Sequence, residues 1–218
     1  MSIVVRTLAE RVFEVVREQI ITGRIPEDQP IRQDALAAEL GVSKIPLREA
    51  LARLEQEGLL TSHANRGYFV QPMSAAQVDE IYALRLQIEP AAGAYAAIHA
   101  GAAEREAAQA AFERLDRAAS SNLAEVARCN RDFHSALVRC EGRALTLQLV
   151  ERLAVFAERY VVAHLEPAGR DARAHLEHRE LLDTWLARDG ARVAALLESH
   201  IRSTLDDLHQ QFSIAAAA

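Results

Sequence analysis

Residues 36–51 read Leu-Ala-Ala-Glu-Leu-Gly-Val-Ser-Lys-Ile-Pro-Leu-Arg-Glu-Ala-Leu, and this stretch decides the fold of the N-terminal third. Leu36, Ala37 and Leu40 fall on one side of a short helix predicted over Gln33–Leu40. Gly41-Val42-Ser43 is a tight turn, and Ser43 is placed to cap a further helix running to about Glu57. Pro46 is tolerated there because the first turn of a helix has unpaired amide donors in any case. Gly58 ends the helix. Helix, glycine-containing turn and helix make a helix-turn-helix.

Working outward, Thr7-Leu8-Ala9-Glu10 is a capping box that opens an earlier helix. Leu8, Val12, Val15, Val16, Ile20 and Ile21 recur along it at helical spacing, and Gly23 stops it. Residues 24–32 form a loop bracketed by two prolines. Downstream, Leu59–Ser62 and Tyr68–Val70 are β-prone runs around a turn at Ala64-Asn65-Arg66-Gly67. Three helices and a two-stranded ribbon make a winged helix-turn-helix domain of residues 1–72.

Gln71-Pro72-Met73 reads as a linker and Ser74-Ala75-Ala76-Gln77 as a second capping box. The rest, residues 73–218, reads as helix in six segments, roughly 74–100, 103–119, 123–141, 143–167, 170–188 and 190–213. The breaks fall at Gly101, Ser120-Ser121-Asn122, Glu141-Gly142, Pro167-Ala168-Gly169 and Asp189-Gly190. Val193, Leu196, Leu197, Ile201, Leu205 and Leu208 share a face of the last helix, and Ala215–Ala218 is expected to fray. The expected fold class is mainly α, a winged helix-turn-helix followed by a six-helix all-α bundle.

Composition bounds the function. Of 218 residues, half are hydrophobic and 5% aromatic, with only 9 Gly and 6 Pro. A disordered or collagen-like chain is excluded. Two cysteines, Cys129 and Cys140, cannot make a disulfide framework, so a reducing cytoplasm is the expected compartment. The N-terminal stretch lacks the pattern of a signal peptide, and no stretch is expected to span a membrane. The formal net charge of −6 argues against a nucleic-acid partner until it is divided. Up to Pro72 there are nine basic and ten acidic residues, and beyond it 16 and 21, so the acidity belongs mostly to the bundle. Within the first domain Lys44 and Arg48, at i and i+4, share a face at a helix start, and Arg66 sits at the wing tip. Cations at a helix N-terminus suit phosphates and guanine edges in a major groove, and Arg66 suits phosphate or minor-groove contact.

Residues 8–70 resemble the winged-helix domain of GntR-family bacterial transcription regulators. The likeness runs through residues 36–51, Leu54-Glu55-Gln56-Glu57-Gly58-Leu59-Leu60 and Arg66-Gly67-Tyr68-Phe69-Val70. It implies DNA contacts from Ser43, Lys44, Arg48 and the wing at Arg66 and Gly67, with Arg32 as a further candidate. Lys44 stands where the family usually has Arg, which removes bidentate geometry at that contact. Pro26-Glu27-Asp28 replaces the family's usual Pro-Gly.

In the bundle, Asn130 and His134 are four apart, roughly 40° around one helix, and can point inward together. His178 and His200 come from two further helices, and His175 competes with His178. Three imidazoles and one oxygen suit Zn²⁺ or a similar divalent metal ion. Residues 74–210 resemble the FCD ligand-binding domain of the FadR subfamily, and six helices are closer to its VanR-like branch. The similar segments are Arg85–Glu89, Asn130–His134, Glu177–Arg179 and Ala195–His200. The resemblance implies a metal held by one Asp and three His that binds a small carboxylate effector. Here Asn130 stands at the Asp position, and Asp132, roughly 200° from His134, cannot replace it. Arg85 is the candidate to clamp the effector carboxylate by bidentate hydrogen bonds. Cys129 and Cys140 read as small buried hydrophobes, and Phe156, Tyr160 and Trp185 as core.

These readings combine into a cytoplasmic, homodimeric, effector-responsive regulator, a repressor by resemblance, reading an inverted-repeat operator. Two rival readings stand beside this one. A metal-dependent hydrolase built on the three His lacks a carboxylate in an obvious general-base position, and no HExxH, P-loop or Ser-His-Asp signature is present. A regulator whose bundle only dimerises is the other.

Overall fold

The computed structural model describes residues 7–27, 29–119, 122–165 and 170–217. Asp28 of the first loop and the breaks expected at Ser120-Ser121 and Pro167–Gly169 lie outside these residues. The chain divides into two compact units, Met1–Pro72 and Met73–Ala218.

In the first unit, α1 (Leu8–Ile21), α2 (Gln33–Glu39) and α3 (Lys44–Gln56) are followed by β1 (Leu60–His63) and β2 (Gly67–Val70). The Thr7 box forms in both directions: the Glu10 amide donates to the Thr7 hydroxyl at 3.2 Å and the Thr7 amide to the Glu10 carboxylate at 2.7 Å. Val12, Phe13, Val16 and Ile20 of α1 meet Leu47, Leu51 and Leu54 of α3 in a buried core. Leu8 and Val15, members of the same apolar run, remain exposed. Gly41 takes a φ of +65°, the left-handed conformation that turns α2 into α3 without a Cβ penalty. Ser43 stands at the N-cap of α3, but its side chain makes no capping hydrogen bond, contrary to expectation. β1 and β2 pair antiparallel, from Leu60 opposite Val70 to His63 opposite Gly67. Their turn uses positive φ at Asn65 and Gly67. The Ile31 amide donates to the Tyr68 carbonyl at 2.8 Å and ties the entry to α2 onto the wing.

The second unit is the six-helix bundle: α4 (Ala75–His99), α5 (Ala102–Ala118), α6 (Leu123–Val138), α7 (Ala144–Leu165), α8 (Arg170–Leu186) and α9 (Gly190–Ala217). The last helix continues beyond residue 213 to Ala217, into the alanines expected to fray, in keeping with alanine's high helix propensity. α4 and α9 approach closely at Gly93, where a Cβ would lie 2.4 Å from a methyl carbon of Leu197. Val193, Leu197, Ile201 and Leu208 of α9 are buried. Trp185 is fully buried and its indole N–H donates to the Leu137 carbonyl at 2.9 Å. Cys129 is buried and Cys140 half-buried, both as free thiols.

The second capping box forms only in part. Ser74 accepts from the Gln77 amide at 3.2 Å. The Gln77 side chain is instead engaged by Tyr160 of α7, whose hydroxyl donates to the Gln77 amide oxygen at 2.8 Å. The same hydroxyl accepts from the Ser74 backbone amide at 3.1 Å. A tyrosine 86 residues away thus does at the Ser74 amide what a capping-box side chain would do.

Candidate functional site

The first unit gathers its cations around the turn between α2 and α3. Arg32, Lys44 and Arg48 line one shallow groove with Gln33, Asp34 and Ala35, and all three cations are exposed. Lys44 forms an ion pair with Asp34, Nζ to Oδ1 at 2.5 Å, with both side chains largely in solvent. Arg66 is not part of that groove. It sits exposed on the wing, its guanidinium 5.4 Å from the centre of the Phe69 ring, and Gly67 beside it opens β2. Ser43 is exposed at the head of α3. One side chain that charge-based reading passed over is Ile45, 71% exposed in the first turn of α3 between Lys44 and Arg48. An isoleucine so exposed at that position offers apolar contact where the cations offer charge. Asp34, which restrains Lys44, was likewise not singled out.

The second unit brings three imidazoles together from three helices. His134 of α6, His178 of α8 and His200 of α9 present ring nitrogens that all lie within 4.8 Å of one another. Nε2 of His178 is 3.2 Å from Nε2 of His134 and 3.3 Å from Nε2 of His200. His134 and His178 are buried, and His200 is half-buried. Burial, and after it His200, His178 and Arg85, hold the His134 pKa well below its usual value, so its ring is neutral. Behind His200 stands Glu177, its Oε2 2.6 Å from Nδ1 of His200. The carboxylate can only accept, so Nδ1 of His200 carries a proton and Nε2 is the nitrogen turned to the other two rings. Glu177 escaped sequence reasoning because its partner lies 23 residues further on, in the next helix.

The donor set fits a divalent metal ion. One ring N–H on His178 cannot align with both neighbouring Nε2 atoms, so hydrogen bonding within the trio leaves nitrogen lone pairs facing one another. Nδ1 of His134 is buried and has no hydrogen-bond partner among the described residues. Imidazoles converging through Nε2, one of them oriented by a carboxylate on its far nitrogen, match the ligand chemistry of zinc. Asn130 lines the same cavity as the three histidines. His175 also lines it but does not join the cluster; its Nδ1 is 3.5 Å from Asp116.

Arg85 of α4 lines this cavity as well. It is buried and already paired: Nε lies 2.6 Å from Oε1 of Glu89 and Nη2 3.3 Å from Oε2. Burial opposes its charge, but Glu89 and Tyr82 together more than offset this, and the Arg85 pKa lies above its ordinary value. Its guanidinium also rests 4.9 Å from the Tyr82 ring centre. The bidentate partner of Arg85 is therefore a residue of its own helix.

Comparison with known proteins places both units. Residues 8–70 match "Bacterial regulatory proteins, gntR family", and residues 80–203 match the FCD domain. The chain is 30% identical over 216 residues to an uncharacterized HTH-type transcriptional regulator, BphR, of Paraburkholderia xenovorans, covering 94% of this chain and 87% of that protein. It is 30% identical over 209 residues to the HTH-type transcriptional repressor GlaR of Escherichia coli, covering 91% and 94%. Among solved structures, E. coli McbR/YncC superposes with a TM-score of 0.73 at 23% identity, over 95% of this chain and all of that one. A GntR regulator from Rhodococcus sp. RHA1 gives 0.75 at 21% identity, over 93% and 97%, so these two likenesses speak for the fold. No helix among the described residues is long and apolar enough to cross a membrane. With a winged helix-turn-helix and an FCD bundle in one chain, the protein belongs to the gntR family of bacterial regulatory proteins and is a DNA-binding transcription regulator rather than an enzyme.

Proposed function

We propose that this regulator is a cytoplasmic repressor that binds an inverted-repeat operator as a homodimer and is released when a small carboxylate binds in the bundle. The reading rests above all on the convergence of His134, His178 and His200 inside a cavity. Their three Nε2 atoms and the amide oxygen of Asn130 would hold a divalent ion, zinc foremost. Such an ion, when bound, supplies Lewis acidity that attracts and orients a carboxylate. The chain's own groups do the rest: Glu177 fixes His200, burial keeps His134 neutral, and the apolar walls exclude water. A neutral amide at position 130 leaves the site more cationic than a carboxylate would, which favours an anionic ligand.

On the DNA side, Lys44 and Arg48 at the start of α3 reach base edges and phosphates of the major groove, supported by Ser43 and Arg32, while Arg66 and Gly67 approach from the wing. Similar proteins named as repressors, GlaR among them and another named a probable D-xylose utilization operon repressor, support the sign of regulation. Binding must be reciprocal: an effector that weakens operator affinity is itself weakened by operator DNA to the same degree.

The test is metal analysis combined with operator retardation. Zinc-supplemented protein is expected to carry one ion per protomer and to lose it in His134→Ala. Equal metal content in the two proteins would defeat the sensor reading while leaving the regulator assignment intact.

A further inference from the structure

From the shape and charge of the bundle cavity we infer the class of effector: a monocarboxylic acid with a compact apolar body of at most about six carbon atoms. The inference rests on the metal–carboxylate reading above and sharpens it.

The cavity encloses about 130 Å³. An apolar protein cavity of about 150 Å³ accepts benzene, so the smaller room here, shared with the carboxylate and the ion, takes a branched short chain or at most a single small ring. Away from the histidines its walls are Leu115, Leu123, Val126, Val161 and Ala174, contributed by α5, α6, α7 and α8. These side chains offer no hydrogen bonds to hydroxyl groups, and a hydroxyl or second carboxylate pressed against them would lose its water without compensation.

The charged and polar lining is already spoken for. Arg85 is held bidentate by Glu89, and that pair carries no net charge. Thr204 donates its hydroxyl hydrogen to the His200 carbonyl at 3.0 Å. His175 stands at the rim, 39% exposed and beside Asp116. A divalent ion on three neutral imidazoles and a neutral amide brings two positive charges; behind His200, Glu177 and Asp207 share the single guanidinium of Arg173, so that group returns one negative charge. One carboxylate balances the remainder; a second finds no counter-charge.

Isothermal titration and thermal denaturation of the zinc-loaded full-length protein decide the matter, with benzoate, 3-methylbutanoate, glutarate and gluconate as probes. Benzoate and 3-methylbutanoate are expected to bind at least tenfold more tightly than the other two, and only with zinc present. Val126→Trp, which fills the cavity from a half-buried position, is expected to weaken benzoate binding at least tenfold at unchanged zinc content. Glutarate or gluconate binding as tightly as benzoate, in a zinc-dependent way, overturns the apolar monoacid class and leaves the metal reading standing. Benzoate binding unaffected by zinc removal overturns the metal reading instead. Failure of all four acids to bind zinc-loaded protein overturns both. The acid panel on the unaltered protein decides even if the tryptophan variant does not fold.

Discussion

Oε2 of Glu177 lies 2.6 Å from Nδ1 of His200, and the two residues come from neighbouring helices, α8 and α9. This contact sets which nitrogen of His200 faces the other two imidazoles. Glu177→Gln should therefore lower zinc affinity by about 10- to 100-fold, the usual consequence of removing a carboxylate behind a metal-binding histidine. Competition against a chromophoric chelator measures it. Unchanged affinity would show that Glu177 only pairs with a surface-facing ring.

His134 gives the metal-free protein a pH dependence of definite sign. Its folded pKa is pushed down by burial, so between that value and the ordinary histidine pKa of about 6.5 the unfolded chain binds more protons than the folded one. Stability is then full above about pH 6.5 and falls as pH drops below it, at up to about 1.4 kcal/mol per pH unit for one group. Urea titrations of chelator-treated protein at pH 7.5 and 5.5 should show the loss, and His134→Phe should flatten it. An equal loss in both proteins would place the titration elsewhere.

The Arg85–Glu89 pair predicts a non-additive result. Glu89→Gln leaves a buried guanidinium uncompensated and should cost about 3–5 kcal/mol. Arg85→Met combined with Glu89→Leu should cost clearly less than either single change, because no charge is stranded. A double-mutant cycle in urea tests this. Additive losses would mean that the pair is not the energetic unit its geometry indicates.

At the DNA face, Arg48→Ala should cost about 1–3 kcal/mol of specific binding, and an unchanged gel-shift titration would remove it from the recognition surface. Asp34→Ala should act in the opposite direction. Freed from its ion pair, Lys44 becomes available to phosphate, and the slope of log affinity against log salt should steepen by up to about 0.9.

Ile45 adds apolar contact to the same helix start. In a selected operator, replacing thymine by uracil at the position Ile45 reaches should cost about 1 kcal/mol, the worth of one buried methyl group, and Ile45→Ser should abolish the difference. Fluorescence anisotropy on the paired duplexes reads both.

What the sequence disclosed, and what it withheld, follows from the range of the interactions concerned. The turn at Gly41, the box at Thr7 and Glu10, and the i,i+4 placement of Asn130 and His134 are local, so spacing alone exposes them. The six helices were legible for the same reason. Arg85 and Glu89 stand at i and i+4, yet only packing reveals that both are buried and hence mutually satisfied. The engagement of Glu177 with His200 and the diversion of Gln77 to Tyr160 depend on which helices become neighbours. Spacing carries no information about either. Ile45 escaped notice because an apolar residue in a helix is ordinarily assigned to the core, and here it faces out.

Tyr160 has a mechanical meaning beyond capping. It fastens Ser74, the residue directly after the Gln71–Met73 linker, to α7, and its neighbour Val161 forms part of the cavity wall. One helix therefore both lines the cavity and holds the residue that follows the linker. A displacement of α7 on effector binding would reach the linker as a change of anchorage, with no need for the bundle to rearrange. Tyr160→Phe cuts that line without touching either binding surface. Effector and operator should each still bind, while the factor by which one weakens the other falls toward unity. Such a regulator would be permanently deaf, repressing its operator whether or not the acid is present.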